Sequence, residues 1–294
     1  ESGATASSNR SRLMRALMCA GVVVFIAAAI VCMFDVPNRI HGPNDYADIL
    51  GMLDHWFYYL PGAYLMDRSV HDGVFPLWNP LVFCGSPFAA NPNSFAFYPP
   101  NMLRSLLTFD PTPMRSHLSI VVMLWLHLIM GGVATYYFAR QHGLGVGPSL
   151  IAAFAFIFSA GVMRRTMANF FITTIMWTPV VLIFLRRSFM AETFRGRLNN
   201  GVLTGVFLAM GLLAGSTQIS MCLSMTIAGY GALYRLFHLR WDQVRRPLRF
   251  LGTVTTDAFV GVLIFLIGAM LAWVMLAPAW ELAGLSDRGL LENE

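Results

Sequence analysis

Leu53-Asp54-His55-Trp56-Phe57-Tyr58-Tyr59-Leu60-Pro61, followed by Gly73-Val74-Phe75-Pro76-Leu77-Trp78-Asn79-Pro80, comes just after the first long apolar run of the chain. It sets one acid in an aromatic, proline-fixed stretch, where a plain connection between two membrane spans needs neither. Trp and Tyr enrich at membrane interfaces, so an aromatic belt with prolines setting its turns explains part of the pattern. A loop that folds back against the membrane and holds a carboxylate over a substrate also gives the acid a task. The stretch therefore reads as the outer part of a membrane enzyme.

Of the 294 residues, 56% are hydrophobic and only 12% are charged. That balance is too apolar for a soluble domain and suits an all-α polytopic membrane protein. The net charge of +5 comes from arginines placed between apolar runs. No basic stripe with stacking aromatics accompanies them, so nucleic acid is not an expected partner. All 20 basic residues are Arg, which reads as a composition bias without mechanistic weight. Cys19, Cys32 and Cys222 fall in or near expected spans and only Cys84 lies in the long loop. Without a Cys-x-x-Cys pair, neither a zinc site nor a disulfide framework is indicated.

Seven spans are expected, near 17–34, 118–139, 149–162, 170–185, 201–215, 219–237 and 251–276. The first follows Arg10, Arg12 and Arg15. It is longer than a signal-peptide core, which predicts a retained span and a cytoplasmic N-terminus. The third to fifth are short, about 14–16 residues against the ~20 that cross a bilayer. Such lengths are tolerated when helices are buried among others or line a cavity. With this topology 13 arginines fall on the cytoplasmic side and 7 outside, while Asp35, Asp45, Asp48, Asp54, Asp67, Asp72 and Asp110 all lie in the first outer loop. Arg164-Arg165 is the exception, a cationic pair on the outer side, and reads either as a sign of a different topology or as a site for an anion.

The outer loop, 35–117, is far longer than ordinary connections and too aromatic for a solvated coil. Asn44–Asp67 reads as an amphipathic interfacial helix with Ile49, Leu50, Leu53, Phe57 and Leu60 near one face. Pro61 is expected to kink or end it. Pro76, Pro80, Pro87, Pro92, Pro99 and Pro100 are expected to hold a compact extended path.

These residues carry a resemblance. Asp54 with Pro61, Gly73-x-Phe75-Pro76-Leu77-Trp78-Asn79-Pro80, Gly85-Ser86-Pro87-Phe88-Ala89-Ala90-Asn91-Pro92 and Tyr98-Pro99-Pro100-Asn101-Met102-Leu103 resemble YfhO-type bacterial membrane proteins of the GT-C glycosyltransferase superfamily. Ala214-Gly215-Ser216-Thr217-Gln218 and Ala277-Pro278-Ala279-Trp280-Glu281-Leu282, with Ser286-Asp287-Arg288, extend the likeness over nearly the whole chain. Family members continue with further spans. The chain, which starts at Glu1 and stops soon after an apolar run, is therefore expected to be the N-terminal part of a GT-C-like transmembrane domain.

The resemblance implies inverting transfer of a sugar from a polyprenyl-phosphate donor to a cell-envelope acceptor, glycan, lipid or protein, on the outer face of the bacterial cytoplasmic membrane. Asp54, a carboxylate beside an apolar aromatic wall, is the expected general base. Glu281 is expected to orient the acceptor or hold Arg288. Arg164, Arg165 and Arg288 offer planar forks suited to the leaving phosphate. His55, Trp78 and Asn79 are expected to position the acceptor or the loop. Many GT-C enzymes carry Asp-x-Asp in this loop. Here His55 follows Asp54, and Asp45-Tyr46-Ala47-Asp48 has another spacing, so no cofactor or divalent metal is indicated.

Outside the loop, His127 and Asp257 are ionisable groups within expected spans and draw attention for that reason. Gln218 and Asn169 are expected to hydrogen-bond between helices. Two other readings compete with the enzyme: a transporter or flippase of a lipid-linked glycan, and a non-catalytic envelope-assembly scaffold. A transporter predicts internal repeats and charges deep in the spans, whereas here charge gathers in the outer loop.

Overall fold

The computed structural model describes residues 20–28, 55–165, 169–238 and 247–285. Within them the chain is mostly helical. Helix α1 covers 20–28. A π-helical turn, His55–Tyr59, runs directly into α2, Leu60–His71. A two-stranded antiparallel ribbon pairs β1, Trp78–Asn79, with β2, Ser86–Pro87, and a 3₁₀ turn covers Pro92–Ser94. Then come α3, Pro99–Leu107; α4, Pro113–Gln141; α5, Val146–Ile157; and α6, Ala160–Arg165. The last four are α7, Asn169–Met190; α8, Phe194–Leu213; α9, Thr217–Phe237; and α10, Pro247–Gly284.

Three stretches among the described residues are long and apolar enough to cross a membrane: Pro113–Gln141, Phe171–Met190 and Val254–Gly284. Val146–Val162 is apolar but shorter. The molecule is a helical membrane protein. The expected span 149–162 is two helices, because the chain breaks at Phe158-Ser159 and Ser159 Oγ accepts from the Val162 N–H at 3.4 Å to start the next turn. The expected short span 170–185 lies within the longer α7, and 201–215 overlaps α8, which starts earlier, at Phe194, and ends at Leu213, since Arg186, Arg187, Arg195 and Arg197 are themselves helical. Of the first expected span only 20–28 is described.

Pro61 sits where the π-helical turn gives way to α2, in a helical run that continues to His71. One proline reading is corrected. A first-turn proline forfeits an N–H that has no intrahelical acceptor anyway. That reason places Pro99-Pro100 in the first turn of α3, where an extended path was expected. Helix α4 starts in kind, with Thr112 Oγ1 accepting from the Arg115 N–H and Pro113 in the first turn.

Glycines set the closest helix approaches. Gly132 of α4 sits where a Cβ would lie 3.1 Å from Ile26 of α1 and 3.3 Å from Ile157 of α5. Gly201 and Gly205, four residues apart on α8, face α10, and a Cβ on Gly205 would come within 2.9 Å of the Ile264 carbonyl oxygen. Small residues at this spacing let membrane helices approach closely and pack. Two buried clusters follow. Val22, Ile26, Leu124, Leu128, Ile157 and Met176 join α1, α4, α5 and α7. Val181, Leu208, Leu223, Ile227, Val260 and Ile264 join α7 to α10.

The folded loop caps one end of this bundle. Phe95 and Tyr98 pack with Leu213, Ala214, Ala272 and Met275. Gly215, at φ +89°, allows this contact, since a Cβ there would stand 3.0 Å from the Pro92 carbonyl oxygen. At the other end, Arg186 donates to the Gln141 carbonyl at 3.0 Å, and Asp257 accepts from Arg235 Nη2 at 2.5 Å with Arg197 at 3.5 Å. The intramembrane suspect Asp257 thus ties α8, α9 and α10 together.

Candidate functional site

Under the loop lies a cavity of about 400 Å³. Tyr58, Tyr59 and Pro61 form one wall, Asn79 and Ser86 of the ribbon another, and Leu282 of α10 closes the far side. Ile120 and Met123 of α4 line its depth. The local conformations are fixed by their own bonds. Asn79 is buried, and its Oδ1 accepts from the Leu81 N–H at 3.0 Å, turning the chain out of β1. Its amide nitrogen has no partner among the described residues. Asn91 Oδ1 accepts from the Asn93 N–H at 3.0 Å, and its Nδ2 donates to Tyr58 Oη at 2.6 Å, closing the 3₁₀ turn onto the π-helical turn. Trp78 lies across Gly85, where a Cβ would meet its ring at 2.6 Å.

The polar groups of the lining are amides and hydroxyls, set among aromatic rings and aliphatic side chains. No Asp, Glu, His or Arg occurs among its described residues. Rings and neutral hydrogen-bonding groups suit an uncharged, hydroxyl-rich ligand. Among the described residues no group of three or more His, Cys, Asp or Glu is placed to hold a metal ion.

His55 is not on this wall. It is 5% exposed, and its Nε2 lies 2.8 Å from Nδ1 of His117 at the start of α4, with Trp56 stacked on the His117 ring. Burial first, and then the neighbouring His117, pull the His55 pKa down to about 4. The pair fastens the π-helical turn to α4.

Two polar networks hold the cavity's frame, and sequence reading identified neither. Asp67 of α2 is fully buried and paired bidentately with Arg104 of α3, Nη2 to Oδ1 at 2.7 Å and Nη1 to Oδ2 at 2.9 Å. The Ser105 hydroxyl donates to Oδ1, and Ser116 Oγ donates to Oδ2 at 2.6 Å. Arg104 spends its remaining donors on Asn101 Oδ1 at 2.8 Å and Ser119 Oγ at 2.7 Å. Every charge-bearing atom is thus satisfied, as a buried ion pair requires.

The second network runs from the loop into the spans. His127 Nδ1 donates to the Met123 carbonyl at 2.7 Å, so Nε2 accepts from the Tyr98 hydroxyl at 2.5 Å. Trp177 Nε1 in turn donates to Tyr98 Oη at 2.8 Å. Burial raises the Tyr98 pKa, keeping the phenol a donor. The polar role expected of Gln218 falls to others. Gln218 is exposed, while the Thr173 and Thr174 hydroxyls donate to the Ala214 carbonyl at 3.3 and 3.4 Å.

Of the sequence-derived site residues, Asn79 lines the cavity, Trp78 shapes its ribbon, and Glu281 is exposed beside the lining residue Leu282. Asp54 and Arg288 lie outside the described residues, as do the side chains of Arg164 and Arg165, whose backbone ends α6. A Tyr-Pro-Pro-Asn run leading into an amphipathic nonapeptide was the available sign of α3, and of the Tyr98 network the sequence marked Tyr98 by its motif and His127 as an ionisable group in a span, but not Trp177. No family model, curated protein or solved structure matches the chain.

Proposed function

We propose that the chain is a GT-C-type membrane glycosyltransferase. It moves a sugar from a polyprenyl-phosphate-linked donor to a cell-envelope acceptor at the outer face of the bacterial cytoplasmic membrane. The observation that carries this reading is the uncharged cavity of amides and aromatic rings beneath the loop. Sugar hydroxyls pair with amides, and the apolar faces of the ring pack on aromatics, so the lining matches a glycosyl group and not the phosphate that carries it.

In this reading Asp54, three residues before the lining residue Phe57, takes the acceptor proton. Glu281, next to Leu282, orients the acceptor. Arg164, Arg165 and Arg288 receive the leaving phosphate, outside the neutral cavity. Asn79 donates its spare amide N–H to a sugar hydroxyl, while Trp78 and the His55–His117 pair position the loop.

The test is transfer of a radiolabelled sugar from a polyprenyl-phosphate donor by the protein in vesicles. A positioned base contributes about 10²–10⁴-fold, so Asp54→Asn is expected to lose turnover by that order, and Asn79→Ala to weaken it while the fold persists. Envelope phenotypes unchanged by both substitutions would establish a scaffold and overturn the reading.

A further inference from the structure

The flank between α3 and α4 is built differently from the cavity. Helix α3 is inside out for a water-facing helix. Its polar residues Asn101, Arg104 and Ser105 are buried, whereas Leu103, Leu106 and Leu107 are each about three-fifths exposed. Polar groups turned inward and leucines outward are stable only where the surroundings are apolar. On the adjoining face of α4, a helix apolar enough to span, Val122 and Leu126 are exposed at 55% and 60%. Between the two helices runs a groove of about 490 Å³, reaching from Arg104 and Ser119 at one end to Met130 and Trp177 at the other.

The groove offers no hydrogen bond despite its polar names. Arg104 is spent on Asp67, Asn101 and Ser119; Thr108 Oγ1 donates to the Arg104 carbonyl; Ser119 Oγ donates to the Ser116 carbonyl. His127 is spent on Met123 and Tyr98, and Trp177 on Tyr98. The occupant is therefore a hydrocarbon. From Ser119 to Met130, at ~1.5 Å per helical residue, the groove descends roughly 16 Å, about one leaflet of a ~30 Å hydrocarbon core. A protein partner would meet a polar rim, and this rim is Leu103, Leu107, Val122 and Leu126.

We propose that this groove is a binding site for one acyl chain of a bilayer phospholipid, taken from the leaflet on the α3 side. The proposal rests on the membrane character of the chain and is independent of sugar transfer. The phospholipid chain would then pack against the back of both polar networks that frame the cavity.

The test uses the full chain in phosphatidylcholine vesicles doped with a phosphatidylcholine that carries a diazirine in its acyl tail. After photolysis, adducts are mapped by mass spectrometry. Met130, Leu126, Val122 and Leu103 are expected to carry several-fold more adduct than Leu266 and Met270, exposed apolar residues of α10. Filling the groove with Leu126→Trp is expected to bring Met130 down to the Met270 level and leave Met270 itself unchanged. Equal labelling of groove and α10, insensitivity of Met130 to Leu126→Trp, or groove residues cross-linked to protein in place of lipid would each overturn the proposal.

Discussion

Asp67 is in sequence one of seven acids of the long loop, with no motif that sets it apart. In the fold it is the counter-charge of a buried arginine that has no other anion beside it among the described residues. Removing one partner of such a pair typically costs about 3–5 kcal/mol. Asp67→Asn is therefore expected to lower the thermal unfolding temperature sharply in detergent. The double replacement Asp67→Leu/Arg104→Met should recover much of that loss, because no lone charge remains. His55 gives a pH signature. Its neutral form is favoured in the fold, with a pKa near 4 against an ordinary 6.5, so the unfolded chain takes up the proton first. Stability is complete above about pH 6.5 and falls as pH drops toward 4, by a total of about 3 kcal/mol. Denaturation midpoints measured across this range should show the slope, and His55→Gln should flatten it.

At the scale of elements, the contact between α8 and α10 turns on hydrogen atoms where side chains would be. A methyl on Gly205 meets the Ile264 backbone oxygen at 2.9 Å, and backbone cannot rotate away. Gly205→Ala is expected to destabilise by about 1–3 kcal/mol, as overpacking does. Gly229→Ala on α9, with nothing within 4 Å, should be neutral or gain up to about 1 kcal/mol of helix propensity. Paired unfolding curves decide it, and equal effects would show that α8 and α10 are not in tight contact.

The helices themselves were legible because apolar runs such as 118–139 and 251–276 have no other stable reading in a chain this hydrophobic. Their ends were not, since arginines near 186 and 195 look like loop residues and are helical. Helix α3 was missed because Pro99-Pro100 were read as holding an extended path, where they start a helix. The candidate cavity was legible through Asn79 and Trp78. Its framing bonds were not, because they join residues 37, 62 and 79 positions apart, and no local pattern carries such pairings.

Across the described residues, the loop sits at one end of the bundle and the helical arginines Arg186, Arg197 and Arg235 at the other. Under the proposed orientation the loop faces outward. A single cysteine at Asn91, introduced after the native cysteines are replaced, is then expected to react with an impermeant thiol reagent applied to intact cells. Labelling that appears only after the membrane is broken would reverse the orientation.

The Asp67–Arg104 knot also has a timetable. Its acceptors and donors end at Ser119, so they have all been synthesised before most of α4 is made. Asp67 and Ser116 are 49 residues apart, about 2–10 seconds of synthesis at roughly 5–20 residues per second. Tyr98, by contrast, must wait for Trp177, 79 residues later. The cap over the bundle can thus neutralise its own charges during translation, and it is locked onto the spans only when α7 arrives.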